Sequence, residues 1–369
     1  MSDLPRKRRK LDLVLDTNNF TDPCERCQDL ARLYTRDGWL AKKNYCFVME
    51  VRESRQTLET SPCPVCRLLS TLKTDDSLTF LHALSARWLL SRLKSSQRQL
   101  YRRFNDTVVI RIDSEKNGKK IRDGKSMGHL MAMQSISELP YSILPFRSEA
   151  KTIEFDQIES WLNHCEKSHG NACQPQDADQ IQPLMVIDCN LYDPGEPPKL
   201  VSISRNEKYA ALSYVWGVYK NSKLAAPVVK DSIQVAKRLG CRYLWVDRHC
   251  IGQDESDEFK NKEFKKMDKI YSQAQFTIIA AAGTDSRDGL AGVTGPRQEP
   301  KSTQAKEIQF RYLGTPPKEK IQSTKWAERG WTYQEGLLSR RRIFFTDEQV
   351  IFQCNNMTCL ESLRIPMER

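Results

Sequence analysis

The sequence lacks the short motifs that mark several large enzyme classes. It has no G-x-x-x-x-G-K-[ST] and no G-x-G-x-x-G, and Gly289, Gly292 and Gly295 fit neither spacing. These absences argue against a P-loop NTPase and against a standard dinucleotide-binding dehydrogenase. The H-E-x-x-H of zinc metalloproteases and the G-x-S-x-G of α/β-hydrolases are also missing.

Long hydrophobic runs are missing as well. The longest apolar stretch, Phe276–Ala282, is far shorter than the roughly 20 residues that a membrane-spanning helix needs. No apolar segment follows the basic N-terminus, so we expect no secretory signal and no membrane partner. The 12 cysteines are then expected to be reduced thiols or metal ligands rather than disulfides. We therefore expect a cytoplasmic or nuclear protein, or one found in both places.

Positive charge is concentrated in two stretches of a chain whose formal net charge is +11. Arg6–Lys10 is a basic block within a tail, residues 1–23, that we expect to be disordered. A second basic stretch runs from Arg92 to Lys125. Such blocks can act as nuclear-import signals or bind phosphates. The alternative is a solvated surface that keeps the protein soluble, and this alternative is favoured for the second stretch.

The periodicity predicts two units after the tail. Residues 24–150 are predicted to form a module of paired cysteines and helices. Apolar residues recur at helical spacing from Leu81 to Phe104, and Gly128–Tyr141 is predicted to be a helix or a linker. Residues 151–369 are predicted to form the second, larger unit.

In the second unit, strands alternate with helices. The predicted strands include Tyr209–Trp216, Tyr243–Asp247 and Gln275–Ala282. A helix is predicted from Asp231 to Leu239, with Asp231 as its N-cap. Glu299–Lys325 is interpreted as a polar insertion. Alternating strands and helices favour an α/β fold with a mostly parallel sheet that is flanked by helices on both faces.

Two C-x-x-C pairs, Cys24/Cys27 and Cys63/Cys66, indicate a structural zinc site. Four thiolates make the tetrahedral sulfur shell that zinc prefers, and each pair presents two sulfurs from one tight turn. The alternatives are reduced core cysteines or a redox pair, and Cys46 could replace one ligand.

A second candidate cluster lies in the segment Cys165-x₃-His169-x₃-Cys173. Residues four apart on a helix share a face, but Gly170 is predicted to end the helix before Cys173. Packing or capping roles are therefore favoured for this segment.

Polar and aromatic residues follow two of the predicted strands. Ser213, Tyr214 and Trp216 lie at the end of the first, and Asp247 ends the second. If these strands are parallel neighbours, the residues meet at one edge of the sheet, where open α/β sheets bind ligands. These residues are candidates for substrate binding.

Trp331 and Glu335 share one face of a helix predicted over Trp331–Leu338. A carboxylate beside aromatic rings suits a ligand with a flat base and a developing positive charge. Cleavage of a nucleotide glycosidic bond fits this description, with Glu335 stabilising an oxocarbenium-like transition state. Arg329 is placed to contact phosphates.

Structural roles remain open for the same residues. Trp245 and Trp331 can be core residues, and Asp247 can cap the turn that follows it. Glu335 can pair on the surface with Arg340 or Arg341.

The order of motifs from about Trp161 to Glu361 resembles the fungal heterokaryon-incompatibility (HET) domain. The matching motifs are Ala-Leu-Ser-Tyr-Val-Trp-Gly217, Leu-Trp-Val-Asp247, Met267-x-x-Ile-Tyr271 and Trp331-Thr-Tyr-Gln-Glu335. Gly252 stands where the family usually has Asn, which could weaken a ligand contact. The resemblance implies nonself recognition in which an activated domain triggers programmed cell death.

HET domains are in turn remotely similar to Toll/interleukin-1 receptor (TIR) domains, which have a flavodoxin-like fold. Enzymatic members of that group cleave NAD with a glutamate that lies four residues after a tryptophan, and Trp331-x₃-Glu335 resembles this element. The resemblance implies an NAD hydrolase (an NAD glycohydrolase) with Glu335 as its catalytic residue and NAD or a related nucleotide as substrate. It also implies self-association and an activating protein that the sequence does not identify.

Two other functions remain open. One is a non-enzymatic signalling scaffold that self-associates, in which case the aromatic residues form an interface. The other is a zinc-containing nuclear regulator that binds nucleic acid through the two basic stretches. Nucleic-acid binding is not favoured.

Overall fold

The computed structural model contains two large sheets with helices packed against them. It describes residues 22–33, 45–73, 78–86, 108–115, 125–133, 144–145, 153–174, 184–204, 207–217, 224–252, 256–306, 308–365 and 367. The helices are α1 (Glu25–Arg32), α2 (Arg55–Glu59), α3 (Pro64–Leu72), α4 (Phe155–Ser168), α5 (Pro227–Arg238), α6 (Asp247–Cys250), α7 (Asp257–Phe264), α8 (Met267–Gln273), α9 (Pro317–Gln322) and α10 (Gly330–Leu338).

The strands fall into these two sheets and one short pair. They are β1 (Tyr45–Val51), β2 (Leu78–Ser85), β3 (Val108–Glu115), β4 (Lys125–Ala132), β5 (Leu144–Pro145), β6 (Leu184–Asp188), β7 (Leu200–Ile203), β8 (Tyr209–Ser213), β9 (Tyr243–Trp245), β10 (Phe276–Ile279), β11 (Ser302–Ala305), β12 (Ile308–Tyr312), β13 (Arg341–Phe345), β14 (Val350–Cys354), β15 (Thr358–Leu360) and β16 (Leu363–Arg364).

The C-terminal half forms a mixed sheet. Eight described strands lie in the order β15-β14-β13-β10-β8-β9-β6-β7. The central strands β13, β10, β8 and β9 are parallel, whereas the strands on both sides of them are antiparallel. The prediction of a mostly parallel sheet is therefore correct only for the centre. At one edge, β13, β14 and β15 follow one another through short turns, and such turns can join only antiparallel strands.

Both faces of the central strands are buried under helices, as predicted. On β8, Ala210 and Leu212 pack in a core cluster with side chains of α4 and α5. Tyr209 and Ala211 point to the other face and pack with α8. The alternation of faces along each strand explains why these segments are apolar throughout.

The helix that follows β8 begins earlier than the sequence suggested, and Asp231 does not cap it. Helix α5 starts at Pro227, so Asp231 lies inside the helix and is buried. Its carboxylate accepts hydrogen bonds from the Leu290 amide and the Thr294 hydroxyl, both at 2.7 Å. An aspartate that binds a distant loop therefore has the same sequence pattern as an N-cap.

The N-terminal module is built on a sheet, and the prediction of a helical module is wrong in this respect. Strands β1, β2, β3, β4, β12 and β11 form a six-stranded antiparallel sheet, with the helices α1, α2 and α3 packed in its core. The helix predicted from Leu81 begins in β2, where Leu81, Ala83 and Leu84 are all buried. Because both faces of β2 are covered, its sequence does not alternate and resembles a buried helix. The rest of that predicted helix, up to Phe104, lies outside the described residues.

The segment predicted as a helix or linker at Gly128–Tyr141 begins in a strand. Strand β4 continues to Ala132, and residues 134–143 lie outside the described part of the chain. Both basic stretches lie largely outside the described residues, including all of Arg6–Lys10. Within those residues, no helix has both the length and the apolar composition that a membrane span requires.

The polar insertion joins the two halves. It supplies β11, β12 and α9, and β12 pairs with β4 of the N-terminal sheet. Behind this sheet, Val109 and Met131 pack in one hydrophobic cluster with Ile279 and Phe344 of the mixed sheet. The predicted division near residue 150 stays a prediction, but the antiparallel sheet draws strands from both sides of it.

We predict that Gly128→Ala weakens the junction between β4 and β12. Gly128 has φ +120°, and an added Cβ would lie 2.4 Å from the Tyr312 ring. We expect the free energy of unfolding to fall by about 2–3 kcal/mol, from backbone strain and overpacking together. Urea denaturation of the full chain measures this loss.

Gly240→Ala is the control. Gly240 has φ +77° with nothing within 4 Å of an added Cβ, so only the backbone cost of about 1 kcal/mol is expected. Equal losses for the two variants would contradict close packing of Gly128 against Tyr312.

Candidate active site and cysteine clusters

The structure brings the predicted site residues of β8 and β9 to one edge of the sheet. The two strands are parallel neighbours, and they end at Ser213 and Trp245. Asp247 follows as the first residue of α6. Strand β8 has β9 on one side and β10 on the other, so the connections diverge at its end. Ligands of open α/β sheets bind at such points of divergence.

Glu335 lies in a buried hydrogen-bond chain at this point. Its carboxyl group is on α10, and the residue is only 7% exposed. The Ser213 hydroxyl donates to Oε2 of Glu335 at 2.5 Å, and Nε1 of Trp326 donates to Oγ of Ser213 at 2.8 Å. Because the indole N–H can only donate, the serine proton must point to Glu335. These two linked hydrogen bonds therefore orient the Glu335 carboxyl group.

Tyr271 completes the surroundings of Glu335. Its hydroxyl donates to the Leu212 carbonyl at 3.0 Å. The same hydroxyl acts to lower the pKa of Glu335, against the larger effect of burial. The ring packs edge-on against Trp245, with the ring centroids 5.4 Å apart. Trp245 is 1% exposed, so for this residue the structural alternative is correct.

Asp247 is a second buried carboxylate in the same region. It accepts hydrogen bonds from Nε1 of Trp216 at 2.8 Å and from the Arg248 amide at 2.7 Å. Val246, rather than Asp247, is the N-cap of α6. Trp216 therefore positions the aspartate, and the Arg248 guanidinium lies 5.8 Å above the centroid of the Trp216 ring.

The two carboxylates resist ionisation. Burial raises the pKa of Glu335 to about 8, and the negative charge of Asp247 acts in the same direction. Burial likewise raises the pKa of Asp247 to about 6. The positive charge of Arg329 acts against both shifts. Paired groups with raised pKa values are typical of catalytic sites, although buried structural networks also produce them.

The remaining predicted residues lie around these carboxylates. Arg329 donates from Nη1 to the Tyr214 carbonyl at 3.4 Å, and Tyr214 itself is buried. Trp331 belongs to α10, but its side chain lies outside the described part of the structure. The surface pairing considered for Glu335 does not occur: Arg340 donates to Ser272, and Arg341 donates to Cys165 and Gln275.

An open cleft borders Glu335. It lies between α7, α8 and α10, and Glu335 and Tyr271 line it together with Phe264, Met267 and Leu338. Within the described residues, neither Asp247 nor Tyr214 lines this cleft. Glu335 is thus the member of the carboxylate pair that a ligand in the cleft would meet first.

Two contributors to the site were not assigned from the sequence. Tyr271 lies in one of the HET-like motifs, which could have drawn attention to it. Nothing in that motif indicated that its hydroxyl lies near Glu335. Trp326 lies in no such motif, and only the fold brings its indole N–H to Ser213.

The four N-terminal cysteines meet as predicted. The sulfurs of Cys24, Cys27, Cys63 and Cys66 all lie within 4.8 Å of one another, and Cys66 Sγ is 3.9 Å from Cys24 Sγ and 3.8 Å from Cys27 Sγ. Cys24 and Cys63 are the N-caps of α1 and α3, so both pairs lie at helix N-termini, whose dipoles favour thiolates. The group can hold a metal ion. Cys46, also described, is not one of its members.

A second group that can hold a metal ion combines Cys165, His169 and Cys173 with Cys354. The sequence pattern of the first three did not indicate the fourth, which lies 181 residues after Cys173 in the chain.

Comparison with known proteins gives one family match, which lies within the C-terminal half of the chain. Residues 209–335 match the family model described as Heterokaryon incompatibility protein (HET). The chain carries a HET domain. The matched segment begins at β8 and ends at Glu335, so the HET resemblance is confirmed over these residues. The HET domain supports a role in heterokaryon incompatibility. No match was found among the curated proteins or the solved structures.

We predict that Glu335 makes the HET domain less stable as the pH rises. A carboxyl group whose folded-state pKa is raised binds its proton more tightly in the folded protein. The free energy of unfolding therefore falls between the ordinary pKa of Glu, 4.5, and about 8. Glu335→Gln removes this titration, so the variant should lose about 3 kcal/mol less than the natural protein between pH 5 and pH 8.

Urea denaturation at the two pH values measures the difference. Glu328→Gln, which changes an exposed carboxylate seven residues earlier, is the control and should keep the natural pH dependence. The same pH dependence in Glu335→Gln and the natural protein would contradict the raised pKa.

Proposed function

We propose that the HET domain hydrolyses the bond between nicotinamide and ribose in NAD, with Glu335 as the catalytic carboxylate. The observation that carries the proposal is the setting of Glu335, a buried carboxyl group at the divergence point of the sheet and on the border of a cleft. Ser213, Tyr214, Trp216, Asp247, Arg329 and Trp331 are the proposed substrate-binding residues.

The strand order supports the resemblance to TIR domains on which this proposal draws. In chain order, the central strands β9, β8, β10 and β13 have the arrangement 2-1-3-4, which is that of flavodoxin-like sheets. Such sheets bind ligands beside the end of the first strand, next to the third. Ser213 ends β8, which corresponds to the first strand, and its hydroxyl contacts Glu335.

The proposed reaction breaks the bond between ribose C1′ and the nicotinamide nitrogen. The bonding electron pair moves to the ring nitrogen, so nicotinamide leaves as a neutral molecule and needs no proton. Water adds to C1′ and loses a proton, which yields ADP-ribose. A carboxylate beside C1′ stabilises the positive charge that develops there.

The raised pKa of Glu335 is compatible with this role. In the free protein the carboxyl group is mostly neutral at pH 7, because its pKa is about 8. The positively charged nicotinamide ring of bound NAD favours the ionised carboxylate. Substrate binding and formation of the catalytic carboxylate are therefore coupled in the proposed mechanism.

The proposed biological role is that of an effector of programmed cell death in nonself recognition. In this proposal the domain acts when it self-associates, under the control of an activating protein, in the cytoplasm or nucleus. Arg329 is partly exposed and donates to the Tyr214 carbonyl, and it is proposed to contact the phosphates of NAD.

We predict that Glu335→Gln strongly slows NAD cleavage. The amide keeps the size of the side chain and can still accept from Ser213, but it carries no charge. Loss of a stabilising charge at the reacting carbon should slow turnover by about 10²–10⁴-fold. Chromatography of nicotinamide and ADP-ribose formed by the assembled, purified chain measures turnover.

Glu328→Gln is again the matched control and should keep the natural rate. Equal NAD consumption by Glu335→Gln and the natural protein would refute the role of Glu335. Cell death that persists in a Glu335→Gln strain without a fall in NAD would favour the scaffold instead.

We also propose that Cys24, Cys27, Cys63 and Cys66 hold a structural zinc ion. Zinc–sulfur bonds of about 2.3 Å in a tetrahedron separate the sulfurs by about 3.8 Å, close to the 3.8 and 3.9 Å of two of these pairs. The ion would join α1 to α3 across the core of the N-terminal sheet.

We predict that Cys63→Ser lowers the zinc content by one ion per chain and lowers the melting temperature, because the site loses one of four ligands. Cys46→Ser, which changes a cysteine outside the group, should lower neither. Elemental analysis and thermal unfolding measure the two effects. Unchanged zinc content in Cys63→Ser would overturn the assignment.

A further inference from the structure

A second group of side chains that can hold a metal ion lies outside the segment that matches the HET family. Cys165 is in the last turn of α4, His169 is the C-cap of that helix, and Cys173 follows a 3₁₀ turn over Gly170–Ala172. Cys354 is the last residue of β14. All four residues are buried, and none is more than 6% exposed.

Local backbone geometry brings the first three ligands together. The helix ends at Ser168. Two residues later, Gly170 has a φ of +47°, which reverses the chain and returns Cys173 towards His169. Nδ1 of His169 lies 3.9 Å from Cys173 Sγ. The sequence correctly predicts that the helix ends here. The end of the helix does not separate the ligands, because the turn that follows brings the third one back.

The fourth ligand comes from the far end of the domain. The Asn355 side chain donates to the Ala172 carbonyl at 2.7 Å, which fixes the β14–β15 turn against the 3₁₀ turn. Cys354 Sγ then lies 3.3 Å from Nδ1 of His169. The aromatic contact of Trp161 with Phe352, at 6.1 Å between ring centroids, holds α4 against β14.

We infer that Cys165, His169, Cys173 and Cys354 form a structural zinc site. The four ligand atoms lie within 4.8 Å of one another. A tetrahedral zinc with bonds of about 2.0 Å to nitrogen and 2.3 Å to sulfur separates nitrogen from sulfur by about 3.5 Å. This value lies between the two nitrogen–sulfur distances in the cluster, 3.3 and 3.9 Å. Three thiolates and one imidazole are a common ligand set of closed, structural zinc sites.

The surroundings fit a negatively charged metal complex. Zinc with three thiolates carries a net charge of −1. Nε of the buried Arg341 donates to Cys165 Sγ at 3.3 Å, and the Met357 amide donates to Cys354 Sγ at 3.3 Å. Donors that point at ligand sulfurs orient them and balance their charge. Packing alone gives no reason for a guanidinium and a backbone amide to converge on these sulfurs.

A zinc ion at this site would link two parts of the C-terminal half that are distant in the sequence. Its ligands lie on both sides of the matched segment 209–335, three before it and one after it. One ion would thus join α4 to the β14–β15 turn, at positions 181 to 189 residues apart in the chain.

The test counts zinc in the full chain and in ligand variants. The natural chain should hold one zinc more than Cys354→Ser. Cys359→Ser, which changes a buried cysteine of β15 outside the cluster, is the control and should match the natural chain. Equal zinc contents in Cys354→Ser and the natural chain would overturn the site.

A second measurement does not depend on folding of the Cys354 variant. The double variant Cys24→Ser, Cys63→Ser disables only the N-terminal group and should retain one zinc. X-ray absorption at the zinc edge of this variant should show three sulfur ligands and one nitrogen. A folded double variant without zinc, or one with a different ligand set, would refute this site whatever the N-terminal group binds.

Discussion

The burial of the Glu335 carboxyl group is the constraint on which the arrangement of the C-terminal half depends. A carboxyl group removed from water is strongly destabilising unless hydrogen bonds replace its hydration. The Ser213 hydroxyl supplies such a bond, and Trp326 fixes Ser213. The Tyr271 hydroxyl also favours the ionised form of Glu335. The elements that carry these residues must therefore keep their relative positions. They are the end of β8, helix α8, helix α10 and the segment that precedes α10.

The same constraint links stability to chemistry. Asp247 lies close enough to Glu335 to disfavour a second negative charge, and each carboxyl group has its own indole or hydroxyl donor. A protein that needed only a stable core would place apolar residues here, because well-packed apolar side chains avoid the cost of removing ionisable groups from water. The cost in stability is consistent with a functional reason for keeping the pair.

Much of this arrangement could be predicted from the sequence because its signals are local. The apolar runs before Ser213 and Asp247 mark buried strands, and polar residues mark their ends. Two further local patterns are the periodicity of the helix that carries Glu335 and the spacing of the two C-x-x-C pairs.

The prediction of a helix in place of strand β2 is wrong because burial on both faces removes the alternation that identifies a strand. Asp231 was mistaken for a cap because its partners, Leu290 and Thr294, lie in a distant loop. Trp326 and Cys354 meet their partners only through the fold, so no spacing could reveal them.

The pairing of β12 with β4 also determines how the chain can be divided. A fragment that starts at residue 151 would keep β11 and β12 but lose the strand beside them. The backbone N–H and C=O groups of β12 that face β4 would then lie open along a free edge, a surface that invites pairing between molecules. The Phe310 side chain, which is buried in the core of the N-terminal sheet, would also become exposed. Aggregation of such a fragment would therefore reflect the cut and would not show that the intact protein assembles.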